Sequence, residues 1–462
     1  MFNANVYTER RDRLREEMKS GLILMPGNSE ASFNYPANVY HFRQDSNFLY
    51  FFGLNSPDLA GVIDIDEGKD YIFGNDVDMD DIIWMGPQPL MRDRAAKVGV
   101  DNTFPLKDLV ELINEAKSNG RDIHFVPPYR GETYIQLESL LELPISKIRK
   151  NVSSDLIKAI VKLREVKDNV EIAEIEKAVD IAYEMHTTSM KMAMPGIIEQ
   201  EIAGTIEGIS LAKGGPVSFP IILSIHGETL HNHHHDNILK EGRMMVTDAG
   251  AEMPSNYCSD ITRTVPVGGK FNQRQKDIYQ IVLDANMQTI AATRPGIFNK
   301  ELHLMAARTI ASGLKDLGLM KGNVDDAVSA GAHAMFYPHG LGHMMGLDVH
   351  DMEGLGENFV GYDDEVKRSD QFGLAFLRLG KRHKPGFVFT IEPGIYFIPA
   401  LIDQWKNEGK FNDFINFDKV ETYKDFGGIR IEDDILVTET GHRVLGKPIP
   451  KTIAEIEETM GK

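Results

Sequence analysis

The sequence predicts a two-domain chain: an α/β domain over residues 1–152, then an α+β domain over residues 170–462 built from two similar halves. Three observations predict this organisation. The 462 residues exceed the size of one ordinary domain. Short apolar runs alternate with helical segments in the first part of the chain, and two phrases recur in the same order in the second part. A charged helix over residues 153–169 is expected to link the domains.

The first domain is predicted from strand-like runs that alternate with helical stretches. The apolar runs lie at residues 21–25, 61–65, 71–73 and 123–126, and residues 106–117 have helical spacing. Such alternation is typical of an α/β domain. None of these segments carries a cluster of metal-binding residues, so the chemistry is expected in the second domain.

The second domain contains an internal repeat. Met-Pro-Gly-Ile at residues 194–197 is matched by Arg-Pro-Gly-Ile at residues 294–297, and each follows an amphipathic helix. Residues 242–250 then match residues 386–394. Because both matches occur in the same order, the sequence indicates a duplication with pseudo-two-fold symmetry. The duplication would place Asp248 and Glu392 in equivalent positions.

Four carboxylates and one histidine lie on or beside apolar runs that are predicted to be buried strands: Asp248, Asp260, Glu392, Glu432 and His343. An isolated buried charge costs several kcal/mol or more, so each carboxylate needs a partner. Four converging carboxylates with few basic neighbours need multivalent cations, which predicts a site for two metal ions. Adjacent antiparallel strands are expected to bring Asp260 opposite Asp248, and Glu432 opposite Glu392, at about 5 Å.

The chemistry of the ligands narrows the choice of metal. The predicted set is rich in oxygen, with one imidazole and no thiolate, which favours Mn(II), Co(II) or Fe(II) over a structural zinc site. We expect two divalent ions, Mn(II) first, with Co(II), Fe(II) and Zn(II) as alternatives.

Composition excludes several other classes of protein. The chain is 42% apolar and 26% charged, as in globular proteins, and its net charge of −19 argues against nucleic acid or an anionic membrane as a partner. A single cysteine, Cys258, rules out a disulfide framework. The first residues contain no apolar core of a signal peptide, and no apolar run approaches the roughly 20 residues of a membrane helix. A cytoplasmic location is expected.

Three phrases carry a resemblance to a known family: Ser-Asp-Ile-Thr-Arg-Thr (259–264), His-Gly-Leu-Gly-His (339–343) and Ile-Glu-Pro-Gly-Ile-Tyr (391–396). With the order of the five ligands, they resemble the pita-bread metallopeptidases of the proline-peptidase branch, aminopeptidase P and prolidase. Phe-Arg-Gln-Asp-Ser (42–46) resembles the N-terminal domain of aminopeptidase P, so the resemblance spans essentially the whole chain. It implies a pita-bread (creatinase/aminopeptidase) fold for the second domain.

The same resemblance implies the activity of an Xaa-Pro aminopeptidase, which releases the N-terminal residue from peptides with proline in second position. A metal-bridged hydroxide would attack the carbonyl before proline, and Glu392 would be both a ligand and the proton shuttle. Thr262 and Arg430 would support the metal-binding carboxylates. His231 would be the outer histidine of the site and would bind substrate. His339 and His350 would orient the substrate and stabilise the oxyanion, and His350 would also bind substrate, so that all three histidines are expected to be catalytic.

The resemblance also implies a homodimer whose substrates are proline-containing peptides. Within the histidine-rich tract 231–236, only His231 is expected to have a role in the site. The rest of the tract is expected to be a solvated loop.

One feature favours a different length of substrate. The long insertion between Glu392 and Glu432, together with Leu-Arg-Leu at residues 377–379, resembles prolidases, in which an arginine like Arg378 grips the free carboxylate of a dipeptide. If Arg378 reaches the site, its guanidinium could bind that carboxylate through two hydrogen bonds. An Xaa-Pro dipeptidase is therefore the alternative to the aminopeptidase.

A further alternative is a metal-free binding module of the same fold. Such relatives replace the ligand residues, whereas this sequence keeps all five.

Overall fold

The computed structural model describes residues 1–461 and divides into two compact units. The first unit is Met1–Arg164 with Met352–Phe359, and the second is Glu165–Asp351 with the chain from Val360 onward. The helix Ser154–Arg164, inside the segment expected to link the domains, belongs to the first unit. The sequence-based domain limits at residues 152 and 170 stay predictions.

The first unit contains seven described strands and eight described helices. The strands are β1 Leu22–Pro26, β2 Ser32–Tyr35, β3 Asn38–Val39, β4 Ala60–Asp64, β5 Lys69–Phe73, β6 Asn102–Phe104 and β7 Ile123–His124. The helices are α1 Ala4–Glu17, α2 Ser46–Phe52, α3 Met79–Met85, α4 Met91–Ala96, α5 Leu109–Ser118, α6 Gly131–Leu141, α7 Ile145–Ile148 and α8 Ser154–Arg164.

A mixed five-stranded sheet organises the first unit, in the order β6-β5-β4-β1-β7. Strands β1, β4 and β5 are antiparallel neighbours, while β6 and β7 pair in parallel at the two edges. Leu24 faces Val62 across β1 and β4, and both pack with Ile113 of α5 in a fully buried core. The predicted apolar runs form β1, β4, β5 and β7, so the α/β prediction is confirmed.

The second unit holds the remaining strands and helices. The strands are β8 Ile222–Ser224, β9 Met244–Ala249, β10 Ile261–Pro266, β11 Val388–Ile391, β12 Gly394–Tyr396, β13 Gly428–Arg430, β14 Asp433–Val437 and β15 His442–Val444. The helices are α9 Asn169–Met192, α10 Glu199–Lys213, α11 Gln273–Ala292, α12 Asn299–Asp316, α13 Val324–Ala330, α15 Pro399–Asn407, α16 Phe417–Val420 and α17 Ile453–Met460. The short helix α14 Glu357–Val360 begins in the first unit and ends with the first residue of the returning second unit.

The predicted duplication is visible in the backbone of the second unit. Helices α9 and α10 are joined by a turn at Gly196 (φ 93°), and α11 and α12 by a turn at Gly296 (φ 84°), a conformation that glycine adopts without steric cost. The amide of Gly196 donates to the carbonyl of Leu239, and that of Gly296 donates to the carbonyl of His383, each at 2.9 Å. The two acceptors lie at matching positions of the repeat, which confirms the two similar halves.

Strand register confirms one half of the predicted carboxylate pairing and corrects the other. Strands β11/β14 pair Ile391 with Asp433, and β12/β13 pair Gly394 with Arg430, so the shared register places Glu392 opposite Glu432. In the first half, however, Asp248 on β9 faces Thr262 on β10. The expectation that Asp260 lies opposite Asp248 is therefore wrong, because Asp260 precedes the paired residues of β10.

No helix within residues 1–461 is long and apolar enough to cross a membrane.

Candidate metal centre

Both halves of the second unit bring ligand residues to one buried cluster. Ligand atoms of Asp260, His343 and Glu432 all lie within 4.8 Å of one another, and all three residues are buried. The Nε2 atom of His343 is 3.3 Å from Oδ2 of Asp260 and 3.9 Å from Oε1 of Glu392. Four of the five predicted ligands therefore converge directly, and the fifth, Asp248, lines the same cavity.

The hydrogen bonding of this cluster fits a bound cation. Among the described residues, no group hydrogen-bonds to the buried Oδ1 atoms of Asp248 and Asp260. A buried carboxylate oxygen without a partner is costly, whereas a metal ion satisfies it. The Nδ1 atom of His343 is 3.1 Å from the carbonyl of Met344. When Nδ1 donates there, Nε2 turns its lone pair towards Asp260, the arrangement of a metal-binding histidine.

The raised pKa values of the clustered carboxyl groups also indicate a cation site. Burial, followed by the charges of neighbouring carboxylates, raises the pKa of Asp260 and of Glu432 well above the usual range. Burial raises the pKa of Glu392 to about 7. Carboxylates that share a dry site resist ionising together, and a divalent cation reverses that resistance.

Hydrogen bonds across the two halves fix the orientation of the carboxylates. The guanidinium of Arg430, on β13, donates to Oδ2 of Asp248 at 2.6 Å and to the hydroxyl of Thr262 at 3.1 Å. Thr262, on β10, in turn donates to Oε2 of Glu432 at 2.6 Å. Each half thus holds a carboxylate of the other, and Arg430 and Thr262 lie where the sequence predicts supporting residues.

The cluster forms the floor of a cavity of about 620 Å³. The lining includes the five predicted ligands and Arg430, and the other predicted site residues that line it are His231, His339, His350 and Arg378. Apolar side chains cover other parts of the wall, among them Phe219, Ile222, Leu230, Phe372, Phe376 and Ile398. A site with a polar floor and apolar walls suits a short peptide with a compact apolar residue.

His339 is held in one tautomer by two neighbours. Its Nδ1 is 2.8 Å from the carbonyl of Gly340, to which it donates, so Nε2 accepts the hydroxyl hydrogen of Tyr396 at 2.9 Å. Burial lowers the pKa of His339 to about 3, so the ring is neutral. Tyr396 also accepts a hydrogen bond of 2.9 Å from Arg430, and burial raises its pKa to about 12.

The role of Tyr396 was missed by the sequence reasoning. Tyr396 ends the phrase Ile-Glu-Pro-Gly-Ile-Tyr, four residues after Glu392, and that proximity was the available signal.

Arg378 reaches the site, which the sequence left open. Its Nη1 donates to Nδ1 of His350 at 2.9 Å, and the His350 ring lies 4.1 Å from the ring of His343, centre to centre. Both residues line the cavity. The guanidinium therefore lies beside the candidate metal ligands rather than on a surface loop.

The histidine-rich tract contributes more than was expected. His231 is exposed and lines the cavity, as the sequence suggests. His233 lines it as well, although the tract beyond His231 was expected to be only a solvated loop.

Comparison with known proteins decides the family. A model of metallopeptidase family M24 matches residues 173–439, more than half of the chain. The chain belongs to metallopeptidase family M24. The N-terminal domain of aminopeptidase P matches residues 7–124. The chain is therefore a metallopeptidase, and the expected two-domain fold is confirmed.

Individual relatives agree over nearly the full length. The chain is 31% identical to the human Xaa-Pro dipeptidase, covering 97% of this chain and 91% of that protein. It is 35% identical to a probable Xaa-Pro aminopeptidase of Aspergillus clavatus, covering 90% and 88% respectively. A solved substrate complex of Escherichia coli aminopeptidase P has a TM-score of 0.82 and 30% identity, covering 100% of this chain and 98% of that one.

Membership of a metallopeptidase family agrees with the buried Asp-His-Glu cluster and its unsatisfied oxygens. The cofactor of this enzyme is divalent metal.

Proposed function

We propose that this enzyme is an Xaa-Pro aminopeptidase, which hydrolyses the bond between an N-terminal residue and a following proline. The observation that carries the proposal is a buried Asp-His-Glu cluster at the floor of a cavity with apolar walls, in a chain whose relatives are named for Xaa-Pro peptides. Proline is compact, apolar and lacks an N–H, so such a cavity can take its ring without leaving a buried donor unsatisfied.

The residues that would hold two divalent ions are the five predicted ligands: Asp248, Asp260, His343, Glu392 and Glu432. We propose Mn(II), because four oxygen ligands with one imidazole suit it. A zinc-substituted product complex exists for the E. coli enzyme, so Zn(II) is the alternative to test first. When bound, the ions polarise a carbonyl and lower the pKa of water.

The chain's own residues supply the proton transfers and the orientation. In hydrolysis, the water oxygen bonds to the carbonyl carbon, the C–N bond to proline breaks, and a water proton passes to the proline nitrogen. We propose that Glu392 carries that proton, since it lines the cavity and its Oε1 is 3.9 Å from Nε2 of His343. Neutral His339, fixed by Gly340 and Tyr396, can orient the peptide without adding charge.

One observation favours the second candidate, an Xaa-Pro dipeptidase. Arg378 lines the cavity and hydrogen-bonds to His350. A guanidinium there can bind the carboxylate of a two-residue substrate, which would cap the length of the peptide.

The experiment compares hydrolysis of Ala-Pro, Ala-Pro-Ala and Ala-Ala-Ala in the presence of Mn(II). The aminopeptidase proposal expects Ala-Pro-Ala to be cut to Ala and Pro-Ala, with Ala-Ala-Ala intact. Cleavage of Ala-Pro alone would replace it with the dipeptidase. Cleavage of Ala-Ala-Ala at an equal rate would contradict both proposals, because both activities require proline in second position.

We also propose a homodimer, and an exposed apolar patch on the first unit supports it. Helix α3 exposes Met79, Ile83, Trp84 and Met85, with Trp84 86% exposed. Exposed apolar side chains grouped on one short helix are typical of association sites. Light scattering should give a dimer mass for the wild type and a monomer for Trp84→Glu. A monomeric wild type would contradict the proposal.

We place the reaction in the cytoplasm. The chain has one cysteine and cannot form an internal disulfide, which suits a reducing compartment. Cell fractionation should find the protein with cytoplasmic markers, and recovery with secreted proteins would contradict this.

A further inference from the structure

The first residues of the second unit make a buried ion pair with the loop that carries His350. The ammonium of Lys167 donates to Oδ2 of Asp351 at 2.8 Å, and each side chain is only 1% exposed. Asp351 directly follows His350, and its amide donates to the carbonyl of Met344 at 2.9 Å. Asp351 is therefore held twice, its amide by the chain near His343 and its carboxylate by Lys167.

The segment of residues 165–167 also contacts the loop that carries Arg378. Glu165, 3% exposed, accepts from Lys381 at 2.5 Å through Oε2 and from Lys384 at 2.6 Å through Oε1. Lys381 lies three residues after Arg378. Its amide donates to the carbonyl of Gly361 at 3.0 Å, so this loop has little freedom at its base.

The two loops meet over the cavity, where Arg378 donates to His350. Glu165 and Lys167 are two residues apart, so the ion pairs fix the bases of both loops to one point of the backbone. That backbone is itself fixed, because the amide of Lys167 donates to the carbonyl of Gly386 at 2.8 Å. Stability is a weak explanation for such pairs, since apolar replacements of buried ion pairs are often as stable.

We infer that Glu165 and Lys167 are positioning residues that set the distance between His350 and Arg378, and thereby the affinity for the proline side of the substrate. The inference rests on the proposed function and extends it to residues outside the cavity. Neither residue touches the substrate. Both act through the two loops and leave the five predicted ligands in place, so their loss should raise KM mainly, with a smaller fall in kcat from the displaced His350.

The test compares three variants on the best Xaa-Pro substrate with saturating Mn(II). Lys167→Met and Glu165→Gln should each raise KM by about tenfold, because weakening one charged hydrogen bond to the substrate changes the affinity by about this factor. The double variant Lys167→Met/Asp351→Leu leaves no uncompensated buried charge, so it should regain thermal stability. Its KM should nonetheless stay raised, because the geometric link is still missing.

A matched control separates positioning from stability. Leu314→Ala, in the core of α12, removes buried side-chain volume away from both loops, so it should lower the melting temperature and leave KM unchanged. In an Arg378→Met background, Lys167→Met should have little additional effect on KM, because the two act through one contact.

Three results would overturn the inference alone. KM that returns to the wild-type value in the double variant, or that rises equally in Leu314→Ala, would make the ion pairs structural only. If the wild type cleaves no Xaa-Pro peptide, the proposed function fails and this inference falls with it. If the wild type cleaves normally and the single variants match its KM, only this inference fails.

Discussion

The two halves of the second unit share a framework but contribute differently to the site. In the first half, Asp248 lies on β9 opposite Thr262 of β10, and Asp260 comes directly before β10. In the second half, Glu392 and Glu432 lie opposite each other, between the strand pair β11/β14 and the strand pair β12/β13. The long connection between α12 and β11 then adds further site residues: His339, His343, His350 and Arg378.

The difference shows how two similar halves can form a site that is not symmetric, so that the two ends of a bound peptide meet different residues. The symmetric part supplies carboxylates from both sides, as two cations require. The asymmetric connection supplies the histidines and the arginine that can distinguish the two ends of a peptide. Thr262 and Arg430 join the halves, since each hydrogen-bonds to a carboxylate of the other half.

The largest expected effect comes from removing a ligand from either half. Asp260→Asn or Glu432→Gln should reduce kcat/KM by more than about 100-fold, exceeding the effect of changing an outer partner of a ligand. Circular dichroism should show the fold retained. Asp316→Asn, an exposed aspartate at the end of α12, is the matched control and should keep full activity. Normal turnover in either ligand variant would contradict a site shared by the halves.

The next effect tests the hydrogen bonds between the halves. Thr262→Val keeps the shape of the side chain but leaves Oε2 of Glu432 without its donor, so activity or metal affinity should fall about 10–100-fold. Thr262→Ser keeps the hydroxyl and should lose far less. Kinetics and Mn(II) titration of both variants measure the difference. Equal behaviour of Val and Ser would show that the bond does not matter.

A smaller and more selective effect is expected in the asymmetric connection. Arg378→Met should raise KM for Ala-Pro by about 10–100-fold, the worth of a charged hydrogen bond of roughly 1.5–3 kcal/mol. Ala-Pro-Ala, whose carboxylate lies one residue further on, should be affected less. Steady-state kinetics on both peptides give the ratio. An equal change for both would mean that Arg378 does not bind the dipeptide carboxylate.

The smallest effect is the pH dependence of the metal-free protein. The pKa of Glu392 is raised to about 7 in the fold, against roughly 4.3 when unfolded, so the fold favours its protonated form. That stability is present below about pH 4.3 and is lost as pH rises through 7. The melting temperature of the metal-free protein should therefore fall as the pH is raised over this range.

Mn(II) should reverse this trend, because it competes with protons for the same carboxylates. The rise in melting temperature on adding Mn(II) should be larger at pH 8 than at pH 5. Equal shifts at the two pH values would contradict the raised carboxyl pKa values.

Much of this architecture was predictable from local sequence. The turns at Gly196 and Gly296, the strand that holds Asp248 and the strand that ends just before Glu392 follow from repeated phrases, because short-range patterns determine helices, turns and buried strands. The four carboxylates could be grouped because each lies beside an apolar run, where a lone charge is too costly.

Other features depend on contacts that no local pattern encodes. The residue opposite Asp248 is set by the connection between β9 and β10, which places Thr262 there and leaves Asp260 before the paired residues. The contact between Arg378 and His350 depends on how a long irregular connection folds. The bridge from Tyr396 to His339 and Arg430 joins three separate segments, so only the folded chain reveals it.

The most direct test of the central claim is to titrate the metal-free enzyme with Mn(II) and follow hydrolysis of Ala-Pro-Ala or, if that is the substrate, Ala-Pro. If the two halves share one two-metal centre, the enzyme should be inactive without metal, and its activity should saturate at two equivalents of Mn(II) per chain. Full activity without metal, or saturation at a single equivalent, would contradict a two-metal centre assembled from both halves.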